Sequence, residues 1–176
     1  MIEYETKILN INVQEITSKL ESIGAQKVSD YFYRRYVYDL GKGLKGWIRL
    51  RTDGKESTLT FKAKTSEDID GATEIETTVG DFYNTHQIIL QMNIADYKYQ
   101  ENKRTKYELD EIEFCIDTWP KVPTWLEIEG TSIEKVKKGL KLLGLEGKDI
   151  GNLSATQTAK RYYNIDLLSY PKLTFD

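Results

Sequence analysis

Residues 2–9 read IEYETKIL, and the fold turns on where the charges of this stretch point. Successive side chains of a strand face opposite sides, so Glu3, Glu5 and Lys7 share one face while Ile2, Tyr4, Thr6 and Ile8 share the other. If the charged face meets water, the stretch is the outside of a sheet. If it points inward, two carboxylates and an ammonium lie buried side by side, and something must compensate them.

The pattern recurs along the chain. Acidic pairs at spacing two are Glu3/Glu5, Glu74/Glu76 and Glu127/Glu129; basic pairs are Arg49/Arg51, Lys62/Lys64 and Arg104/Lys106. Apolar residues occupy alternate positions beside them: Ile48 and Leu50, Leu59 and Phe61, Leu126 and Ile128. Like charges two residues apart sit about 6.6 Å from each other along a strand. They repel by roughly 0.6 kcal/mol in water and about 2.5 kcal/mol at an effective dielectric of 20. An ordinary wet face mixes signs for cross-strand pairing, whereas here whole strands are acidic or basic. Sorting by sign points to a charged cavity. Basic strands would neutralise a polyanion, and clustered carboxylates would hold hard divalent cations, which together describe a metal-bound polyphosphate.

The rest of the chain supplies a frame for such a cavity. A strand at about 2–10 leads into a helix capped by Asn12, with Glu15 three residues on and an apolar stripe of Val13, Ile16, Leu20 and Ile23 ending at Gly24. Strands are expected at about 31–39, 46–52 and 57–64, the last two joined at Asp53-Gly54. After a polar loop at 65–71 come a strand at 73–79, a helix from Asp81 to about Met92, and strands at about 95–108, 111–118 and 124–129. A third helix is expected to start from Thr131 as cap with Glu134 as its partner, and to end at Gly144. A short helix near 154–162 and a tail complete the chain. Many antiparallel strands with few helices give an α+β fold, and closure into a barrel would remove exposed edges. The order acidic strand, helix, basic strands occurs at 3–64 and again at 74–106, a loose internal likeness between halves.

The chain has 176 residues, 39% hydrophobic and 30% charged, which fits one domain spanning 1–176. No apolar run approaches the roughly 20 residues needed to span a bilayer. The first residues lack a secretory pattern, and one cysteine, Cys115, allows no internal disulfide; both suit a reducing cytoplasm. A net charge of −3 argues against a general nucleic-acid binder. Three other motifs carry no chemistry. The stretch GKGLKG at 41–46 lacks the ending of a phosphate loop and reads as a turn. His86 is the only histidine, so a zinc site or histidine triad has nothing to build on. Cys115 reads as a packing residue.

With its pairs in this order, the sequence resembles the CYTH family, the triphosphate tunnel metalloenzymes, which include class IV adenylate cyclases, thiamine triphosphatases and inorganic triphosphatases. The family's E-x-E-x-K opening stands here as Glu3, Glu5 and Lys7. ESIGA at 21–25 and YVYD at 36–39 follow, then R-x-R at Arg49 and Arg51, K-x-K at Lys62 and Lys64, E-x-E at Glu74 and Glu76, Arg104 and Tyr107 in KRTKY, Asp117 in CID, and Glu127 and Glu129 in LEIEG. Asn102 stands where the family often has a lysine, leaving Lys106 or Lys103 to substitute. The resemblance implies a closed eight-stranded antiparallel β-barrel with a polar interior and helices packed outside. It further implies that Lys7, Arg49, Arg51, Lys62, Lys64, Arg104 and Lys106 contact phosphate. Glu3, Glu5, Glu127 and Glu129 would lead as ligands of Mg2+ or Mn2+, with Glu74, Glu76 and Asp117 as lesser ones, and Glu3, Glu5, Lys7, Glu127 and Glu129 would carry catalysis. The implied substrate is ATP, inorganic triphosphate or thiamine triphosphate. A cyclase would release pyrophosphate as the ribose 3′-hydroxyl attacks the α-phosphorus, and a triphosphatase would direct water to the terminal phosphorus. A sensor that binds without turnover is the alternative, and oligomeric state, a homodimer included, stays open.

Overall fold

The computed structural model describes residues 2–40, 46–64, 66–69, 72–93 and 96–176, with Lys64 and Ala72 described through their backbone alone. The glycine turn expected at 41–46 lies outside the described residues except for Gly46. In chain order the elements are β1 (Ile2–Ile8), α1 (Val13–Ser22), β2 (Gln26–Asp39), β3 (Trp47–Thr52), β4 (Ser57–Lys64), β5 (Ala72–Thr78), α2 (Phe82–Met92), β6 (Asp96–Leu109), β7 (Ile112–Thr118), β8 (Trp125–Gly130), α3 (Ile133–Leu143), α4 (Ala155–Tyr163) and β9 (Lys172–Leu173).

Eight antiparallel strands run in the order β2-β3-β4-β5-β1-β8-β7-β6, and pairing of β6 with β2 closes them into a barrel. The closing ladder is the longest, from Gln26 opposite Glu108 to Asp39 opposite Asp96, with a bulge at Lys27–Ser29. β2 therefore starts five residues before the expected strand. Its opening residues, Gln26 to Asp30, carry no apolar alternation, and only the β6 partner reveals them as strand. Exchanging β1 to β4 with β5 to β8 returns the same strand order, so the two halves, each strand–helix–three strands, share one topology.

The apolar faces look outward, beneath the helices. Ile112, Phe114 and Ile116 of β7 and Leu126 and Ile128 of β8 pack with Ile16 and Leu20 of α1 and Val136, Leu140 and Leu143 of α3. Gly139 lets α3 come this close, since a Cβ there would lie 2.8 Å from Ile128 Cγ2 and 3.1 Å from Ile112 Cγ2. α2 covers the other side, where Phe82 and Ile89 meet Tyr38 and Leu50. Asn12 caps α1, accepting from the Glu15 N–H at 3.3 Å. Val13, expected in the α1 stripe, is 37% exposed because it sits in the first turn, outside the packed arc. The cap of α3 is Ser132, which accepts from the Lys135 N–H. The expected Thr131 is one residue early because Gly130 still belongs to the β8 ladder.

Candidate active site

Alternation along the strands aims the charged pairs into the barrel, and register decides which of them meet. On one side Glu5 stands opposite Glu129, and Glu129 opposite Glu113, a row of three carboxylates across β1, β8 and β7. One step along, Lys7 stands opposite Glu127. On the other side Arg35 is directly opposite Arg51, and Lys62 opposite Glu74. These groups line a cavity of about 550 Å³. At one end Trp119, Trp125, Leu167, Ala159 and Leu173 form an apolar cluster against Leu9, and Ser154 to Gln157 of the C-terminal segment line the wall. The tail, to which the sequence assigned no element, adds β9, parallel to β6 at Tyr99 and Gln100.

Ion pairs tie the charges together. The Lys7 ammonium, 3% exposed, sits 2.9 Å from Glu127 Oε2 and 3.2 Å from Glu5 Oε1. Arg104 grips Asp117 through Nε and Nη2 at 2.7 and 2.5 Å and reaches Glu127 Oε1 at 2.7 Å. Burial acts to raise the Glu127 pKa, but Lys7 and Arg104 outweigh it and hold this carboxyl well below its usual range. Lys62 bridges Glu3, Glu5 and Glu74. Arg49 contacts Glu74 and Glu76 at 3.4 and 3.3 Å. Lys106 is held by Glu113 and Glu108 at 2.7 and 2.9 Å.

Glu3, Glu5 and Glu129 converge on one point of this network, although Lys62 reaches the first two and Lys7 reaches Glu5. Each offers a carboxylate oxygen, all within 4.8 Å of one another. Burial, then Glu5, raises Glu3 to about 8; burial, then Glu127 and Glu5, raises Glu129 to about 7. Crowded acids of this kind gain from a divalent cation, and an all-oxygen donor set suits Mg2+ or Mn2+. Glu127, Asp117, Glu74 and Glu76, also expected as ligands, line the same cavity outside this group of three, with Lys7, Arg104, Arg49 and Lys62 as their partners. The Lys64 side chain lies outside the described residues.

Sequence spacing missed Arg35, which is 7% exposed and lines the tunnel. It sits in an Arg34-Arg35 doublet and so escapes a search for pairs at spacing two; only the parity of Tyr31, Tyr33 and Arg35 marks it. Arg35 donates to Asn102 Oδ1. Lys103, one expected substitute at this position, points outward over Phe175. Glu113, which shares β7 with Asp117, was missed too, and its place opposite Glu129 comes from register. Burial pushes the Cys115 thiol far up, out of nucleophile range. His86 is buried on α2 with Nδ1 2.7 Å from Tyr38 Oη, a packing role.

The sequence matches the CYTH domain over residues 1–163. The chain belongs to the CYTH family. A protein of Pyrococcus horikoshii superposes with a TM-score of 0.74 at 20% identity, over 86% of this chain and 96% of its own. A Vibrio parahaemolyticus protein named as a candidate adenylate cyclase gives 0.70 at 12% identity, over 88% and 95%. A Hippeastrum protein of adenylyl-cyclase type, described as having a dominant triphosphatase activity, gives 0.59 at 14% identity, over 96% and 99%. At such identities the likeness is one of fold. No curated protein matches the sequence. Among the described residues, no helix of this CYTH protein is long and apolar enough to cross a membrane.

Proposed function

We propose that this CYTH protein is a divalent-metal-dependent enzyme that hydrolyses a linear triphosphate held in the tunnel. The observation that carries this reading is the Glu5–Glu129–Glu113 row inside the same cavity as Arg49, Arg51, Lys62 and Arg104. Binding a polyanion needs the cations alone; three carboxylates crowded side by side add a cation seat, which a passive sensor does not require. Glu3, Glu5 and Glu129 would hold Mg2+ or Mn2+, and the ion would neutralise charge on phosphoryl oxygens.

The chain's own residues do the rest by position and charge. Arg49, Arg51 and Lys62 contact the phosphate chain. Lys7 and Arg104, both fixed by Glu127, present cations whose place is set before substrate arrives, so little reorganisation accompanies reaction. Hydrolysis needs only water at the terminal phosphorus, and the strands already hold every group for it.

Cyclisation of ATP is the second reading, and it needs a seat for a nucleoside. The Tyr31–Tyr33 stack, with ring centroids 5.2 Å apart, lines the tunnel and is the group that supports it. A product assay with ATP and with inorganic triphosphate, each with Mg2+ or Mn2+, separates the readings. Free phosphate from inorganic triphosphate is expected; cyclic AMP with pyrophosphate would establish the cyclase, and binding without product would leave a sensor.

A further inference from the structure

The basic wall holds one cation that the ion-pair network leaves out. Among the described tunnel cations, Lys7, Arg49, Arg51, Lys62, Arg104 and Lys106 each have a carboxylate within 4.0 Å, and Arg35 has none. It is also among the more buried of them, and a guanidinium does not shed its charge in a protein. Burial, then Arg49 and Arg51, acts against that charge. Register worsens the repulsion, because Arg35 is paired directly with Arg51 across β2 and β3, and like charges in that relation destabilise a sheet.

The neighbours of Arg35 hold its plane and leave donors over. Its guanidinium lies over the Trp119 ring, 4.7 Å from the centroid, and Arg51 lies over Tyr33 at 4.4 Å. Stacking occupies the face of a guanidinium and leaves its N–H edge available. One edge donor goes to Asn102, while Nε is buried without an acceptor. The indole N–H groups of Trp119 and Trp125, which line the same end of the tunnel, are likewise buried without acceptors. A buried cation with no carboxylate beside it is costly in a closed fold, and an anion in the cavity next to it answers that cost.

We propose that Arg35, with Trp119 and Trp125 beside it, seats the terminal phosphoryl group of the substrate at the end of the tunnel that these tryptophans line. This inference rests on the triphosphate reading of the tunnel. It gives the bound chain a direction: the terminal phosphate lies against the apolar cluster, and any organic substituent lies toward the opposite mouth. The seat favours chains of three phosphates over two, since a third phosphoryl group carries the chain further along the wall from the carboxylate-held cation.

Titration calorimetry on the full chain with Mg2+ and either inorganic triphosphate or pyrophosphate tests this, together with ligand-free melting. Arg35→Met keeps the stem over Trp119 and removes the charge. It is expected to weaken triphosphate binding roughly 10- to 100-fold, to change pyrophosphate binding less than about 3-fold, and to leave the ligand-free melting temperature equal or higher, because an unpaired buried charge is gone. Arg35→Lys restores charge without the fork and recovers part of the loss. Unchanged triphosphate affinity in Arg35→Met overturns the seat, as does equal weakening for both ligands, which would make Arg35 a general field. A ligand-free protein that melts lower with unchanged preference for triphosphate assigns Arg35 to the fold and overturns the seat too. Wild-type protein that binds triphosphate without turning it over sinks the proposed hydrolysis and leaves the seat standing.

Discussion

Glu129 and Glu127 are two residues apart on β8 and face the same cavity, yet their surroundings give them different work. Glu127 is spoken for by Lys7 and Arg104; Glu129 is crowded by acids. Glu129→Gln is therefore expected to lower metal-dependent turnover by at least about 100-fold while ligand-free melting is unchanged or improved. Lys7→Met does the reverse, leaving Glu127 and Glu5 buried beside a lost partner, and should cost on the order of 3–5 kcal/mol in chemical denaturation. The acids also set a pH dependence. Folded-state values of about 8 for Glu3 and about 7 for Glu129 exceed their unfolded values. The folded chain thus holds more protons than the unfolded one, and stability falls as pH rises. The contribution of these two groups is full below about pH 4.5 and gone above about pH 8, so metal-free protein should lose a few kcal/mol between those limits relative to a Glu3→Gln, Glu129→Gln variant. Added Mg2+ should restore more at pH 8 than at pH 6, read as the shift in melting temperature. A shift independent of pH would remove these two acids from the metal site.

Elements differ in how openly their sequences announce them. Helix starts are written locally, by Asn12 and Asp81 accepting from backbone N–H groups three residues on, and so are strand faces, by alternation. Ladders are not local. The first residues of β2 are strand because β6 lies beside them, and β9 exists because β6 outruns β7 and offers Tyr99 and Gln100 for pairing. The same limit applies to the site. Spacing exposed the paired charges but not Arg35 or Glu113, whose meaning comes from the residue opposite them. It also could not divide Glu127 from Glu129, which depends on which strand presents Lys7. Contact between elements is testable at Gly139, where α3 lies on β7 and β8. Gly139→Ala improves helix propensity by roughly 1 kcal/mol, but its methyl meets Ile128 and Ile112, and overpacking of this kind costs roughly 1–3 kcal/mol. A net loss of stability is expected, measured by urea unfolding, and a gain would mean that α3 can ride up off the sheet.

For the whole molecule, the decisive strand is β1. It joins the two halves, pairing Ile2 with Thr73 on one side and Tyr4 to Ile8 with Gly130 to Leu126 on the other. All other neighbouring strands, apart from β2 with β6 and β9 with β6, are consecutive in sequence. Contacts so distant in sequence pay their loop-closure entropy late. Ile8, 3% exposed under the helices, should then be a residue whose contacts form after the rate-limiting step. Ile8→Ala is expected to cost about 2–5 kcal/mol, almost all of it as faster unfolding with the refolding rate within about 3-fold, in stopped-flow experiments. Slowed refolding would place β1 in the nucleus.

During synthesis β1 leaves the ribosome well before β5 and β8, its two partners, and waits for both. A strand left unpaired that long invites association with other chains. IEYETKIL carries its own protection, since Glu3, Glu5 and Lys7 place a charge at every second position and interrupt any apolar run. Residues that line the cavity of the finished barrel thereby keep the newborn chain from aggregating before there is a barrel to face into.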